Sequence, residues 1–307
     1  MQGLDKMQKQ KLSLSTFVDL TRFEMTLFGL PFILVGALLP LANFDFLLTL
    51  GTSDFLRCLW ILPAFLTARI SGMAFNQLID RAIDAKNPRT SERALPSGRA
   101  TAVQARLIAW GSLATFILIC SQINALCFWL SPLAAALIYL YSYTKRFTSF
   151  CHLVLGSIHL LGPLMASIAV CGKFTIGPLF LGAAASLSIA GNDIVWAIQD
   201  FFFDKRHHLH SIPTRFGIKK SLRIAQLLHA LCVVMLVIAG YKSGLHMIYL
   251  VAPILVTLLF LDFHGKVAQL AYQPTEVARL TPLFFKCNVS ASLLTLLFFF
   301  IGVVWAA

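Results

Sequence analysis

The stretch FNQLIDRAID, residues 75–84, closes a long apolar run and places Asn76, Asp80 and Asp84 four residues apart. At 3.6 residues per turn these side chains stack along one helix face. Carboxylates facing each other across a turn repel, so the spacing needs a positive partner. A second stretch, NDIVWAIQDFFFD, residues 192–204, sets Asp193, Asp200 and Asp204 seven and four residues apart, again on one face. Both groups lie at the C-terminal ends of apolar runs, where the helix dipole disfavours anions. Two facing carboxylate groups make chemical sense as oxygen ligands of a hard divalent cation. Mg2+ keeps several waters, takes one or two carboxylates and completes its shell with phosphate oxygens.

Groups able to meet phosphates follow each acidic stretch. AKNPRTSERALPSGRA carries Arg89, Arg93 and Arg99, YTKRFTS carries Lys145 and Arg146, and KRHHLHS opens with Lys205 and Arg206. Arginine suits forked phosphate contacts and lysine acts as a point charge. The histidines at 207, 208 and 210 read as interfacial residues, since nothing supplies further metal ligands. Arg69, seven residues before Asn76 on the same face, requires an anionic partner in the bundle or in a ligand. Arg22 and Glu24 can pair with each other where the first apolar run begins. Among the aromatic residues near the acids are Tyr139 and Trp196, whose ring faces can stabilise a carbocation.

The elements that must position these groups are membrane helices. The 307-residue chain is 58% hydrophobic and 12% charged, with a mean hydropathy of +0.79. Apolar runs long enough to cross a bilayer recur at about 23–42, 55–79, 102–120, 124–142, 150–171, 174–199, 218–240, 246–263 and 282–305. The fold class expected is an all-α polytopic membrane protein of about nine transmembrane helices. Residues 1–22 form a polar, basic N-terminal segment without a removable signal peptide, and residues 23–307 form a single transmembrane domain. A doubled four-helix unit plus a ninth helix would place the second and sixth spans in equivalent positions. The seven cysteines are scattered through apolar runs without CxxC pairs and read as small hydrophobes.

A net charge of +12 might suggest a nucleic-acid partner, but its distribution gives another reason for it. Of the 25 Lys and Arg residues, all but Arg57, Arg69, Lys173 and Lys242 fall on alternate loops, starting from the N-terminus. By the positive-inside rule those loops are cytoplasmic. The N-terminus and both acidic groups then face the cytoplasm, as in a bacterial-type inner membrane, and the C-terminus lies outside. No nucleic-acid or protein partner is implied. The carboxylates leave two function classes open, an enzyme acting on a phosphorylated lipid and a secondary transporter. Transporter acids usually sit near the bilayer midplane on broken helices. Acids at helix ends flanked by basic loops favour the first class.

In NQLIDRAID, RTSERALPSG, YSYTKRFT and DIVWAIQDFFFDKR the chain resembles the UbiA family of membrane prenyltransferases over essentially its full length. Gln77 stands where many 4-hydroxybenzoate-prenylating members have Asp. The pattern from Phe23-Glu24 to Pro31-Phe32, with NPRTSER and LHSIPTRFG, looks more like the branch tied to menaquinone made through futalosine, whose acceptor is a dihydroxynaphthoate. The resemblance implies transfer of a polyprenyl group from its diphosphate to a small aromatic acid in quinone biosynthesis. It implies a UbiA-type bundle with Asp80, Asp84, Asp200 and Asp204 as catalytic acids. Asn76, Asp80 and Asp84 would hold one Mg2+. Asp200 and Asp204, with Asp193 assisting, would hold a second. Lys145, Arg146 and Arg93 would meet the diphosphate, and Arg22 or Arg69 the acceptor's carboxylate.

Overall fold

A computed structural model of the protein describes residues 12–43, 48–49, 51–273 and 276–306. Lys6, Lys9 and Lys11 of the basic N-terminal segment lie outside the described residues. The described part is helical: α1 (Leu14–Thr21), α2 (Thr26–Leu38), α3 (Thr52–Cys58), α4 (Ile61–Asp84), α5 (Ala102–Ile123), α6 (Ala125–Thr144), α7 (Cys151–Cys171), α8 (Ile176–Ala197), α9 (Phe201–Arg206), α10 (Ile212–Lys242), α11 (Val251–Leu270) and α12 (Leu280–Val304). Short 3-10 turns extend several of these. Nine of the resulting helical stretches, from Phe23–Ala42 to Val277–Val304, are long and apolar enough to span a bilayer. This is a polytopic integral membrane protein.

Helix boundaries follow local chemistry. Thr101 and Gln104 form a reciprocal capping box at the start of α5, and Ser211 and Thr214 do the same for α10. Asn124 caps α6 through Cys127 N and also donates to Ile168 O at 2.9 Å, joining the ends of α6 and α7. Inside α10, Gly217 adopts φ 78°, which separates a short lead-in helix from the membrane-spanning part. That break lies one residue before the apolar run expected from the sequence.

Two apolar cores organise the bundle. One is built from α4, α5, α6 and α7, with Phe75, Leu113, Ile138 and Leu164 among its buried residues. The other joins α8, α10, α11 and α12 through Leu181, Leu236, Phe260 and Phe299. This matches a doubled four-helix unit, but the additional helix is the first span. α2 gives Ile33 to one core and Phe32 and Val35 to the other, which the 3-10 turn after it extends with Leu39. Lipid tails are as apolar as Leu, so helices associate here by close backbone approach at small residues. Gly36 lies against the Pro163 backbone, joining α2 to α7, and Gly182 lies against Leu160 O, joining α8 to α7.

The N-terminal helix is tied to this frame. Leu20 is buried with Ala94, Leu95 and Ala105. Gln77 Nε2 donates to the carbonyls of Asp19 and Leu20, at 3.0 and 2.9 Å. A carboxylate at position 77 could not donate, which gives the Gln at this position a packing reason.

Because α7 and α8 both carry cavity residues, their contact is testable. Gly182→Val forces side-chain carbons into the Leu160 backbone and should cost about 1–3 kcal/mol. The expected result is a lower melting temperature in detergent, measured by thermal-shift fluorescence, whereas Gly111→Val, where a Cβ meets nothing within 4 Å, should leave it unchanged.

Candidate active site

Between the two cores lies a cavity of about 280 Å³. One end of it is polar and is closed by the two acidic stretches. Asp80 and Asp84 come from the last turns of α4. Asp200 ends the 3-10 turn that follows α8, and Asp204 lies on α9. A 3-10 turn has 3.0 residues per turn instead of 3.6, and across it Asp193, Asp200 and Asp204 all still line the cavity. Asp193 remains on α8, deeper in the bundle, where its Oδ2 lies 2.7 Å from His152 Nδ1. Its carboxylate is thus engaged by a histidine while lining the same cavity as Asp200 and Asp204.

The other acids are matched with cations. Asp84 Oδ2 accepts from Arg93 at 2.9 Å. Asp80 Oδ2 accepts from Asn76 Nδ2 at 3.1 Å, and its Oδ1 lies 3.7 Å from Arg146. Asp200 is held by both prongs of Arg89, with Nε 2.9 Å from Oδ1 and Nη2 on Oδ2. Asn87 Nδ2 adds a bond to the same Oδ1 at 2.9 Å, and Asn87 Oδ1 accepts from Arg89 N. The loop after the first acidic stretch therefore clamps Asp200 of the second. Arg89 also lies 5.2 Å above the Trp196 ring.

Lys145 lines the cavity between the two groups. Burial alone would lower its ammonium, but Asp204 first and Asp200 among the other acids hold it above its ordinary value. Burial likewise opposes the charge on Arg89, and its bond to Asp200 keeps the guanidinium above its ordinary value. Both groups stay cationic.

Below the acids the cavity becomes apolar and aromatic. Phe28, Trp196 and Phe284 form one wall, with ring centroids 5.4 Å apart for Phe28–Phe284 and 4.4 Å for Trp196–Phe284. Arg69 lines this part and donates to Arg22 O at 3.4 Å. Ile33 and Phe65 are shared with a smaller apolar pocket, and Ile33 and Ile61 continue to a groove lined by Leu34, Leu296 and Phe300.

Three expected site residues do not line this cavity. Tyr139 packs edge-on against Phe75 and near Trp110, with its hydroxyl 3.1 Å from that of Tyr143. Two residues on, about 200° round the helix, Tyr141 faces the cavity instead. Arg22 has φ 45° where α1 ends, and its Nε pairs with Glu24 at 2.8 Å. Arg146 sits at the rim, 42% exposed, over the Tyr143 ring. Arg89, expected only as one of several phosphate-meeting groups, lines the cavity; Asn87, Tyr141 and His159 line it and His152 meets Asp193 without having been singled out. The spacing of seven between His152 and His159 in CHLVLGSIHLLG was the signal for two of them.

Residues 30–289 match the UbiA prenyltransferase family. The chain belongs to this family. It is 31% identical to a 4-hydroxybenzoate octaprenyltransferase of Haemophilus ducreyi over 193 residues, 63% of this chain and 69% of the relative. It is equally similar to a digeranylgeranylglyceryl phosphate synthase of Methanosarcina mazei, 31% over 222 residues, 68% and 72% of the two chains. A UbiA homologue from Aeropyrum pernix has the same fold, with a TM-score of 0.76 and 26% identity over 92% of this chain and 98% of that one. Another, from Archaeoglobus fulgidus and bound to DMAPP and Mg2+, has a TM-score of 0.62 and 19% identity over 90% and 98%.

Among the described residues no three His, Cys, Asp or Glu side chains are gathered to hold a metal by themselves. The donor set is nevertheless all oxygen, and the buried Asp204 Oδ2 has no partner in the protein. This fits an ion that takes few carboxylates and relies on phosphate oxygens for the rest.

The Arg89–Asp200 clamp generates a prediction. Asp200 is 6% exposed and Arg89 29%, so removing the cation should cost toward the lower end of the ~3–5 kcal/mol for a broken buried pair. Arg89→Ala is expected to lower the melting temperature, and adding Asp200→Asn should recover part of the loss. Purely additive effects of the two changes would show that the pair does not act as a unit.

Proposed function

We propose that this chain is a Mg2+-dependent prenyltransferase that moves a polyprenyl group from its diphosphate to a small aromatic acid in quinone biosynthesis, working at the cytoplasmic face of the inner membrane. The observation that carries this reading is the division of one cavity into an acidic and cationic end and an aromatic, apolar remainder. A diphosphate with a long hydrocarbon tail has the same division.

In this reading Asp80, Asp84, Asp200 and Asp204, with Asn76, hold the cation. Bound Mg2+ would neutralise diphosphate oxygens and so ease departure of the leaving group. Arg89, Arg93 and Lys145, with Arg146 at the rim, take up diphosphate charge when the acids they now face turn to the cation. Phe28, Trp196 and Phe284 present ring faces and edges to the allylic carbon and keep water from it. Arg69 receives the acceptor's carboxylate. The tail runs past Ile33 and Ile61 to the groove facing lipid. The A. fulgidus homologue bound to DMAPP and Mg2+ supports use of the ion within the family. The names of the relatives span a hydroxybenzoate and a glyceryl phosphate, so the cavity, not the family, selects the acceptor. The Phe23–Phe32 pattern supports a dihydroxynaphthoate as that acceptor.

A turnover assay tests this. Purified protein in liposomes is given a labelled polyprenyl diphosphate with 1,4-dihydroxy-6-naphthoate or 4-hydroxybenzoate, in Mg2+ or EDTA. Product is expected only with Mg2+, with Asp80→Ala and Asp200→Ala each lowering turnover by about 100-fold or more while the protein remains extractable and folded. Diphosphate binding without product from either acid would overturn the aromatic acceptor. Absence of diphosphate binding would reopen the transporter reading.

A further inference from the structure

His159 stands in the apolar part of the cavity, on α7, and none of the roles above uses it. Its Nδ1 lies 3.0 Å from the carbonyl oxygen of Leu155, one turn back. A carbonyl can only accept, so Nδ1 carries a proton and Nε2 of the neutral ring is left as a hydrogen-bond acceptor. Among the described residues nothing donates to Nε2.

The space beside that nitrogen is kept open by Gly29 on α2. A Cβ at position 29 would lie 3.4 Å from Phe65 Cε2 and 3.8 Å from His159 Cδ2, the carbon bonded to Nε2. Gly29, Phe65, His159 and Arg69 line one cavity. Arg69 can only donate, whereas Nε2 can only accept. One apolar compartment therefore offers a cationic donor and a neutral acceptor on different helices.

We infer that His159 is a specificity-determining residue that accepts the hydrogen bond of the aromatic acceptor's ring hydroxyl, while Gly29 and Phe65 shape the slot for the ring. This rests on the prenyltransfer reading and deepens it. The substrate class it selects is a flat hydroxy acid, carboxylate toward Arg69 and hydroxyl toward His159. An acid lacking the hydroxyl leaves Nε2 buried and unanswered, and the cost of that is the basis of discrimination.

The test measures binding, by calorimetry, in the presence of Mg2+ and an unreactive thiolo analogue of geranyl diphosphate. The probes are two pairs of acids that differ in hydroxyls: 4-hydroxybenzoate against benzoate, and 1,4-dihydroxy-6-naphthoate against 2-naphthoate. The wild-type protein should bind the hydroxylated member of at least one pair about tenfold tighter, the worth of one such hydrogen bond. His159→Phe should bring that ratio to within about twofold while leaving affinity for the unhydroxylated acid in place, and His159→Gln, which keeps an acceptor oxygen, should restore part of it. Arg69→Gln should weaken both members equally. Gly29→Ala, which introduces only van der Waals contacts, should also lower the ratio and decides the matter if His159→Phe no longer binds the diphosphate analogue. Retention of the wild-type ratio in a diphosphate-binding His159→Phe or Gly29→Ala protein overturns the inference. So does a wild-type protein that binds each pair without preference. Failure of the wild-type protein to bind any of the acids overturns the aromatic-acceptor reading itself, and this inference with it.

Discussion

The structure depends on a balance of buried charge at one end of the helix bundle. Asp80, Asp84, Asp200 and Asp204 are gathered where they would repel one another and where helix C-termini add further negative potential. Such a group is stable only when cations are brought to it from elsewhere in the chain. Each pairing therefore ties two segments together. Arg93 folds its loop back onto the end of α4, Arg89 and Asn87 carry the same loop across to Asp200, and Lys145 brings the end of α6 between them. The same ion pairs draw the loops over the cavity. Asp204, with an oxygen left unanswered, is the position where this internal neutralisation stops.

Beneath that polar end the requirements reverse. The two apolar cores, with α2 contributing to both, flank the cavity. Glycines bring α2, α7 and α8 into backbone contact, and the same residue type at position 29 leaves room instead of closing it. Close packing of the frame and openness of the cavity thus come from one device used in two ways. The passage from charged rim to aromatic wall to lipid-facing groove suits an amphiphile whose head and tail need different solvents.

Much of this was legible in the sequence. Hydropathy and run length are local properties, so each of the nine spans among the described residues was placed, with ends off by up to seven residues, as at 199 against Arg206 and 263 against Leu270. The fourfold spacing of Asn76, Asp80 and Asp84 identified one wall of the site, because α4 is a regular helix to its end. Spacing did not say what holds each acid: Asp193 lines the same cavity as Asp200 and Asp204 but is bonded to His152. Rotation about α6 put Tyr141 and not Tyr139 toward the cavity, a choice that depends on which side of the helix meets its neighbours.

By itself, then, the sequence determined the class of the fold, the number and place of its membrane helices, the two acidic stretches and the basic loops that answer them. Only the tertiary structure decided the pairings: Arg89 with Asp200, His152 with Asp193, Gln77 with the N-terminal helix, and His159 set opposite the gap at Gly29. The physical reason is the range of the interactions. Hydropathy and helical period act within a segment, where order along the chain is enough. A hydrogen bond or ion pair between residues 41 to 111 positions apart depends on which helices approach closely and how each is rotated, and that is set by the packing of the whole bundle.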